Sequence, residues 1–345
     1  MKEHLYECED VIGNTVYVKS DPSLIVIDDA VCIPLPNELS YPGIYDFGRK
    51  LITQSVYFRG PDVREVAPPI AMLHDYNSIQ AYAEDDEYIY IGHIHDHYGH
   101  FILSTVSRLW HKIFLETDLK IIYSSTTNFE DQLNKPIVSA VLDATGISRD
   151  RFVRFDEPKK LRKVYIPAPA FEESNFAHQV MSDFCNGIGE KIASHYISHT
   201  QNVPLFLSKA KLKTGVRKII NEQEIVYELE RLGIEVAYPE ELNIGEQIAL
   251  WYNRKNIVAF SGSALHTSLF APGNRVVSLN YDKHINSSFL LCDTINRSDA
   301  SYYYFGDGAI QHLGPSSVRN HDIGFSSEEL ATDPIMLARQ IASLF

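Results

Sequence analysis

Three groups of residues in this 345-residue chain have the types and spacing to do chemistry. The first is a run of histidines with an aspartate, His93, His95, Asp96, His97 and His100, which offers imidazoles for proton transfer near neutral pH or for metal binding. The second is Lys209, Lys211, Lys213, Arg217 and Lys218, five basic side chains clustered in a chain of formal net charge -14. They either hold an anionic group such as a diphosphate or form a solvated basic loop. The third is Ser261-Gly262-Ser263-Ala264-Leu265-His266-Thr267, where an apolar strand, Ile257-Val258-Ala259-Phe260, empties through small residues into a helix. Backbone N–H groups at a helix start lack an intrahelical partner and favour anions, although many tight strand-to-helix turns bind nothing.

Alternating strands and helices must position these groups. Residues 11 to 75 read as a β-rich lead-in, with Thr15-Val16-Tyr17-Val18, Leu24-Ile25-Val26-Ile27 and Val56-Tyr57-Phe58 as strands between turn residues. Tyr88-Ile89-Tyr90-Ile91 is the strand before the histidine run. Ile102, Val106, Leu109 and Ile113 then recur at helical spacing, and Lys120-Ile121-Ile122-Tyr123 is the next strand. Asn134 is placed to cap a helix with Pro136 in its first turn and Gly146 as its stop, before the strand Phe152-Val153-Arg154-Phe155. The segment from Ile166-Pro167-Ala168-Pro169 to about His199, prolines and then a helical stretch, reads as a hinge between domains. Beyond it Leu205-Phe206-Leu207, Ile234-Glu235-Val236-Ala237, the Ile257 strand and Val276-Val277-Ser278-Leu279 alternate with helices opened by Asn221/Glu224 and Asn243/Glu246 capping pairs. Such alternation implies parallel sheets, because parallel strands need crossover connections, and ligands then sit at the carboxyl ends of the strands.

Composition sets the outer bounds. A chain 45% hydrophobic and 22% charged suits a globular protein of two domains, and the acidic balance argues against a nucleic-acid partner. Cys8, Cys32, Cys185 and Cys292 are scattered without metal-binding or disulfide spacing, and no apolar run approaches the ~18 residues of a membrane span. A cytoplasmic protein is expected.

Taken together, Leu205-Phe206-Leu207-Ser208-Lys209, Arg217, Asn221-Glu222, Gly233, Pro239-Glu240, Glu246-Gln247 and Gly262-Ser263-Ala264-Leu265-His266 resemble glycosyltransferase family 61 in order and spacing. In the first half, His97-Tyr98-Gly99-His100-Phe101 and Ser107-Arg108-Leu109-Trp110 resemble the signature of the bacterial branch. The resemblance covers roughly residues 85 to 285. It implies an α/β fold of the GT-B type, two Rossmann-like domains facing a cleft. The expected divisions are 1–168 for the acceptor side, 169–325 for the nucleotide-sugar side, and 326–345 for a final helix that either crosses back to the first domain or packs where it ends. The implied activity is inverting transfer from a nucleotide sugar, UDP being the commonest type, to a glycan or lipid-linked acceptor in capsule, exopolysaccharide or lipopolysaccharide assembly. Peripheral contact with the inner membrane would accompany that role, with no metal and no further cofactor.

On this reading Lys209, Arg217, Glu222, Gly262, Ser263, Ala264, Leu265 and His266 bind the donor. The base is His100, with His97 and Asp96 as the other candidates. His266 either touches the donor or caps its own helix, and Arg108 either contacts substrate or braces the interdomain face by pairing with an acid. Trp110 and Trp251 are expected in the core, and Tyr302-Tyr303-Tyr304-Phe305 is either an edge strand or an acceptor surface. The chain departs from the family pattern at Lys209, where arginine is usual, at Ser261, at Ser278, and at Ser104, where the bacterial signature often has an acid. Two other classes remain. One is a metal-dependent hydrolase, since His93, His95 and His97 would share one face of a strand. The other is a catalytically silent nucleotide-sugar-binding module.

Overall fold

The computed structural model describes residues 4–35, 41–60, 79–125, 127–317 and 323–345. The chain is a mixed α/β structure with several sheets, divided into two compact units: Gly13–Ile192, and Ala193–Phe345 together with Met1–Ile12. The seam falls at 192/193, at the end of the helix Gln179–Ala193 and within the stretch from Ile166 to about His199 that reads as a hinge.

The Gly13–Ile192 unit is built on a six-stranded sheet in the spatial order Gly43–Tyr45, Leu24–Ile33, Lys159–Pro167, Glu87–His93, Lys120–Ser124, Phe152–Val153. The last four are mutually parallel, and Leu24–Ile33 runs antiparallel to both of its neighbours. Glu87–His93 is buried from Tyr88 to Gly92, the continuous apolar run expected of a parallel strand covered on both faces. The crossover helix Pro136–Thr145 has Pro136 at its start, Gly146 in a left-handed cap at φ 77°, and Ile137, Val138, Val141 and Leu142 buried. Its N-cap is Lys135; Asn134 instead ends the short helix Phe129–Leu133. Val56–Phe58 does not enter a sheet, although its backbone is extended at Val56.

The helix expected after the histidines is broken into pieces. An α turn at Tyr98–His100 widens into a π segment at Phe101–Thr105, tightens to 3-10 at Val106–Arg108, and resumes at Ile113–Glu116. Ile102, Val106, Leu109 and Ile113 are nevertheless all buried. Wide turns inside helices recur where a side chain has to be re-aimed.

The second unit holds a six-stranded sheet in the order Tyr6–Glu7, Asp299–Tyr304, Arg275–Asn280, Asn256–Phe260, Leu205–Leu207, Glu235–Ala237, parallel throughout except at the Tyr6–Glu7 edge. Alternate residues serve its two faces. Phe206, Val258, Phe260, Val277 and Leu279 pack with Ile225, Val226 and Leu229, while Leu205, Leu207, Ile257, Ala259 and Val276 pack with Trp251, Leu265 and Phe289. Asn243 and Glu246 form the expected capping box. Asn221 does not, because its amide bonds both the N–H and the C=O of Ala331 and ties its helix to the Gly324–Ala331 strand.

That strand lies between Thr214–Ile219 and Ile310–Gly314 in a separate three-stranded sheet. The final helix, Pro334–Ala342, buries Leu337, Ala338 and Ile341 in the core shared with Ile225 and Leu229. It therefore packs within its own unit, and residues 326–331 before it are strand. Tyr302–Tyr304 is strand as well, one place in from the edge. Among the described residues no helix is long and apolar enough to cross a membrane.

Candidate functional site

At the carboxyl end of Glu87–His93 the chain brings His100 against a residue that sequence reasoning did not single out. His100 Nδ1 lies 2.7 Å from Oε1 of Glu173, at the tip of the Phe171–Glu172/Phe176–His178 hairpin. The same oxygen accepts a 2.6 Å bond from the Tyr57 hydroxyl, and Arg59 Nε stands 3.3 Å from Oε2. Glu173 is 5% exposed. Burial alone would raise its pKa, but the bonds from His100 and Tyr57 and the Arg59 charge outweigh that and hold it below the ordinary carboxylate value. An ionised carboxylate only accepts, so Nδ1 of His100 is the N–H donor, and in the neutral ring the lone pair then falls on Nε2. That tautomer is the one a general base needs.

The other two base candidates are placed differently. Asp96 is ion-paired with Lys135 and accepts from Gln132 Nε2 at 3.0 Å. Burial pushes its pKa up, but these partners more than offset that, so its proton affinity falls below an ordinary aspartate's. His97 caps the α turn, its ring 4.9 Å from that of His100, and burial lowers its pKa. Among the described residues neither hydrogen-bonds a carboxylate.

The three-histidine metal reading fails on backbone direction. The strand ends at His93, so His93, His95 and His97 do not share a strand face. His93 Nδ1 turns to the Ser124 carbonyl at 2.9 Å, and the His95 ring packs edge-on against His93 and at 4.4 Å from Tyr57. Among the described residues no three His, Cys, Asp or Glu side chains converge as a cation site.

Arg108 braces backbone carbonyls and pairs with no acid among the described residues. It is 4% exposed and donates to the carbonyls of Gln54, Val56 and Pro167. Burial draws its pKa down to about 10, so it remains charged at neutral pH. Gly92 makes room for it: at φ 76°, a Cβ there would meet Arg108 Nε at 3.2 Å. Ser104 is buried on the π segment, and Trp110 is half-buried with its Nε1 donating to Ala168 O.

The second cluster stands in the other unit. Lys209, just past the Leu205–Leu207 strand, donates from Nζ to the Tyr281 hydroxyl at 2.7 Å. Arg217 lays its guanidinium 5.0 Å from the centre of the same ring. Gly262 borders them, since a Cβ there would lie 3.5 Å from Lys209 Nζ. Lys209, Arg217 and the Gly262 turn therefore meet around Tyr281. Among the described residues neither cation has a carboxylate partner. Lys211, by contrast, is paired with Glu241, and Lys218 donates to the Leu212 carbonyl.

The remaining donor-side candidates divide between backbone and core. The segment after Gly262 is a 3-10 helix, Ser263–Phe270, whose start no side chain caps. Ser263 and Ala264 stay partly exposed there, whereas Leu265 joins the core around Trp251. His266 is buried, stacked 4.7 Å from Phe289 with Nδ1 3.7 Å from Cys292 Sγ, so it neither reaches outward nor caps its helix. Glu222 is 1% exposed and accepts from Ser208 Oγ and the Lys209 N–H at 2.7 and 2.8 Å. It shapes the turn that presents Lys209, and burial raises its pKa against the lowering charge of Lys209.

Glu173, Tyr57 and Tyr281 are the site residues the sequence did not announce. The available signals were an acid pair, Glu172-Glu173, at a hairpin turn, and a tyrosine just past an apolar strand. A family model described as Glycosyltransferase 61 matches residues 98–278, more than half of the chain, and that span includes His100, Glu173, Lys209, Arg217 and Gly262. No curated protein matches the chain.

Proposed function

Because the chain belongs to the glycosyltransferase 61 family and so moves a sugar from a donor to an acceptor, we propose that the donor is a nucleoside-diphosphate sugar and that transfer inverts the anomeric centre. His100 Nε2 takes the proton of an acceptor hydroxyl as its oxygen bonds to the anomeric carbon. The bond from that carbon to the diphosphate breaks on the opposite side, and the electron pair leaves with the diphosphate. Lys209 and Arg217 meet the charge that develops there, with the N–H groups at Gly262–Ala264 beside them. Glu173 keeps the proton on Nδ1 and stabilises the imidazolium that forms, while Tyr57 and Arg59 hold Glu173.

The observation that carries this reading is the 2.7 Å contact between His100 and a buried carboxylate in a chain of this family. Parallel sheets in both units support a GT-B arrangement of two Rossmann-like domains. A glycan or lipid-linked glycan acceptor, in polysaccharide assembly at the cytoplasmic side of an inner membrane, completes the proposal, and a UDP-sugar is the first donor to try. Calorimetry with UDP, GDP, CMP and their sugars, followed by NMR of the anomeric proton in any product, tests it. A bound nucleoside diphosphate with a product of inverted configuration is the expected result. Retention of configuration would refute the single displacement, and nucleotide binding without turnover would indicate a silent binding module.

A further inference from the structure

A cavity of about 350 Å³ opens in the Gly13–Ile192 unit, and its lining includes Asp21, Gln54, Phe58, Glu172, Phe176 and His178. Two segments build it, the Phe171–Glu172/Phe176–His178 hairpin and the stretch from the 3-10 turn Thr53–Ser55 to Phe58. Glu172 pairs with Phe176 in antiparallel register and His178 follows two residues on, so these side chains share the hairpin face opposite buried Phe171 and Ala177. On the other wall Gln54, Val56 and Phe58 line the cavity, while the intervening Ser55 and Tyr57 line a smaller recess beside His93 and His95. Arg108 fixes that wall through its bonds to the carbonyls of Gln54 and Val56. The cavity is therefore preformed, and its volume lies in the range of small-ligand sites.

Its chemistry selects a ligand class. Phe58 and Phe176 are only partly covered and offer apolar ring surface. Asp21, Glu172 and the Gln54 amide supply acceptors for hydroxyl donors, and His178 Nδ1 donates to Ser20 O at 2.6 Å, which leaves Nε2 as its second polar atom. Among the described residues neither lysine nor arginine lines the cavity, so the carboxylates there repel an anionic ligand. Its position matters as much. Glu172 adjoins Glu173, which holds His100, and Val56 adjoins Tyr57, whose hydroxyl bonds the same carboxylate. In sequence, each wall is thus one residue from the His100–Glu173 contact or its Tyr57 partner.

We propose that this cavity is the acceptor subsite and that it takes a neutral saccharide, not a phosphorylated or uronic acid one. Sugar C–H faces pack on Phe58 and Phe176 while hydroxyls donate to Glu172, Asp21 and Gln54. The inference rests on the transferase reading only in calling the saccharide an acceptor.

Titration of the full chain, by NMR or calorimetry, with uncharged trisaccharides of glucose, galactose, mannose, rhamnose and N-acetylglucosamine, and with matched trisaccharides ending in a uronic acid, tests it. At least one neutral trisaccharide should bind, its uronic acid counterpart about tenfold or more weakly, and Phe176→Ala and Gln54→Ala should each weaken binding about tenfold. Gln54 is exposed, so its variant keeps the test decisive if Phe176→Ala does not fold. Absence of neutral binding up to about 10 mM, equal affinity for the uronic acid series, or affinity unchanged in Gln54→Ala would each overturn the proposal. Nucleoside diphosphate titrated into the same samples separates the two ideas: saccharide binding alone sinks the donor reading, and nucleotide binding alone sinks the subsite.

Discussion

In the Gly13–Ile192 unit the half-buried His100 and Arg59 are matched to a buried carboxylate, whereas in the Ala193–Phe345 unit Lys209 and Arg217 lean on the phenol ring of Tyr281 and, among the described residues, meet no carboxylate. A buried carboxylate that accepts from an imidazole fixes a tautomer, and so equips the first region to move a proton. Cations that rest on a neutral ring keep their charge available, which equips the second region to receive an anion. Buried Glu222 shows the difference within a few residues: it is spent on the Ser208 hydroxyl and the Lys209 backbone, and the Lys209 ammonium is left to Tyr281.

Substitutions that strike one region should leave the other's task intact. The largest effect is expected from His100→Ala, which should lower turnover by about 10²- to 10⁴-fold while nucleoside diphosphate affinity stays as it was, read by initial rates and calorimetry. A parallel loss of nucleotide binding would merge the two regions. Arg217→Ala should weaken nucleoside diphosphate binding by about tenfold to a hundredfold, the range of a lost charged hydrogen bond, with unchanged thermal stability because the side chain is exposed. Glu173→Gln should cost turnover about tenfold or more with donor and acceptor saturation unaltered, since the amide no longer imposes the tautomer. Tyr281→Phe removes one neutral hydroxyl and should weaken nucleotide binding roughly fivefold.

The smallest effect is one of pH. Burial, with the neighbouring His93 and His100 imidazoles, draws the His95 pKa from its ordinary 6.5 to about 3. The unfolded chain therefore binds more protons than the folded one between those values, and stability should decline as pH falls from about 6.5 toward about 3. His95→Gln should make that decline shallower in denaturant titrations. An unchanged slope would mean that His95 is not held neutral by its surroundings.

Much of the framework was legible because short-range rules govern it. Apolar runs at Tyr88–Ile91, Lys120–Tyr123, Leu205–Leu207 and Ile257–Phe260 are strands, Gly146 ends its helix, and Asn243 with Glu246 closes a capping box. Where long-range partners compete, local rules lost. Asn221 gives its side chain to Ala331, 110 residues away, and the amphipathic run after His100 is widened and tightened instead of staying one regular helix. The site shows the same division. His100, Lys209, Arg217 and Gly262 carry recognisable types and spacing, while Glu173 sits 73 residues from His100 and Tyr281 sits 72 from Lys209, separations at which no periodicity operates. His266 and Arg108 look reactive in sequence but are enclosed by Phe289 and by backbone carbonyls.

The division of labour between the two regions is tested most directly by measuring nucleoside diphosphate affinity and turnover together in His100→Ala and Arg217→Ala. Turnover lost with affinity kept in the first, and affinity lost in the second, is the predicted crossing. Affinity that survives Arg217→Ala unchanged, or turnover that survives His100→Ala, would contradict it.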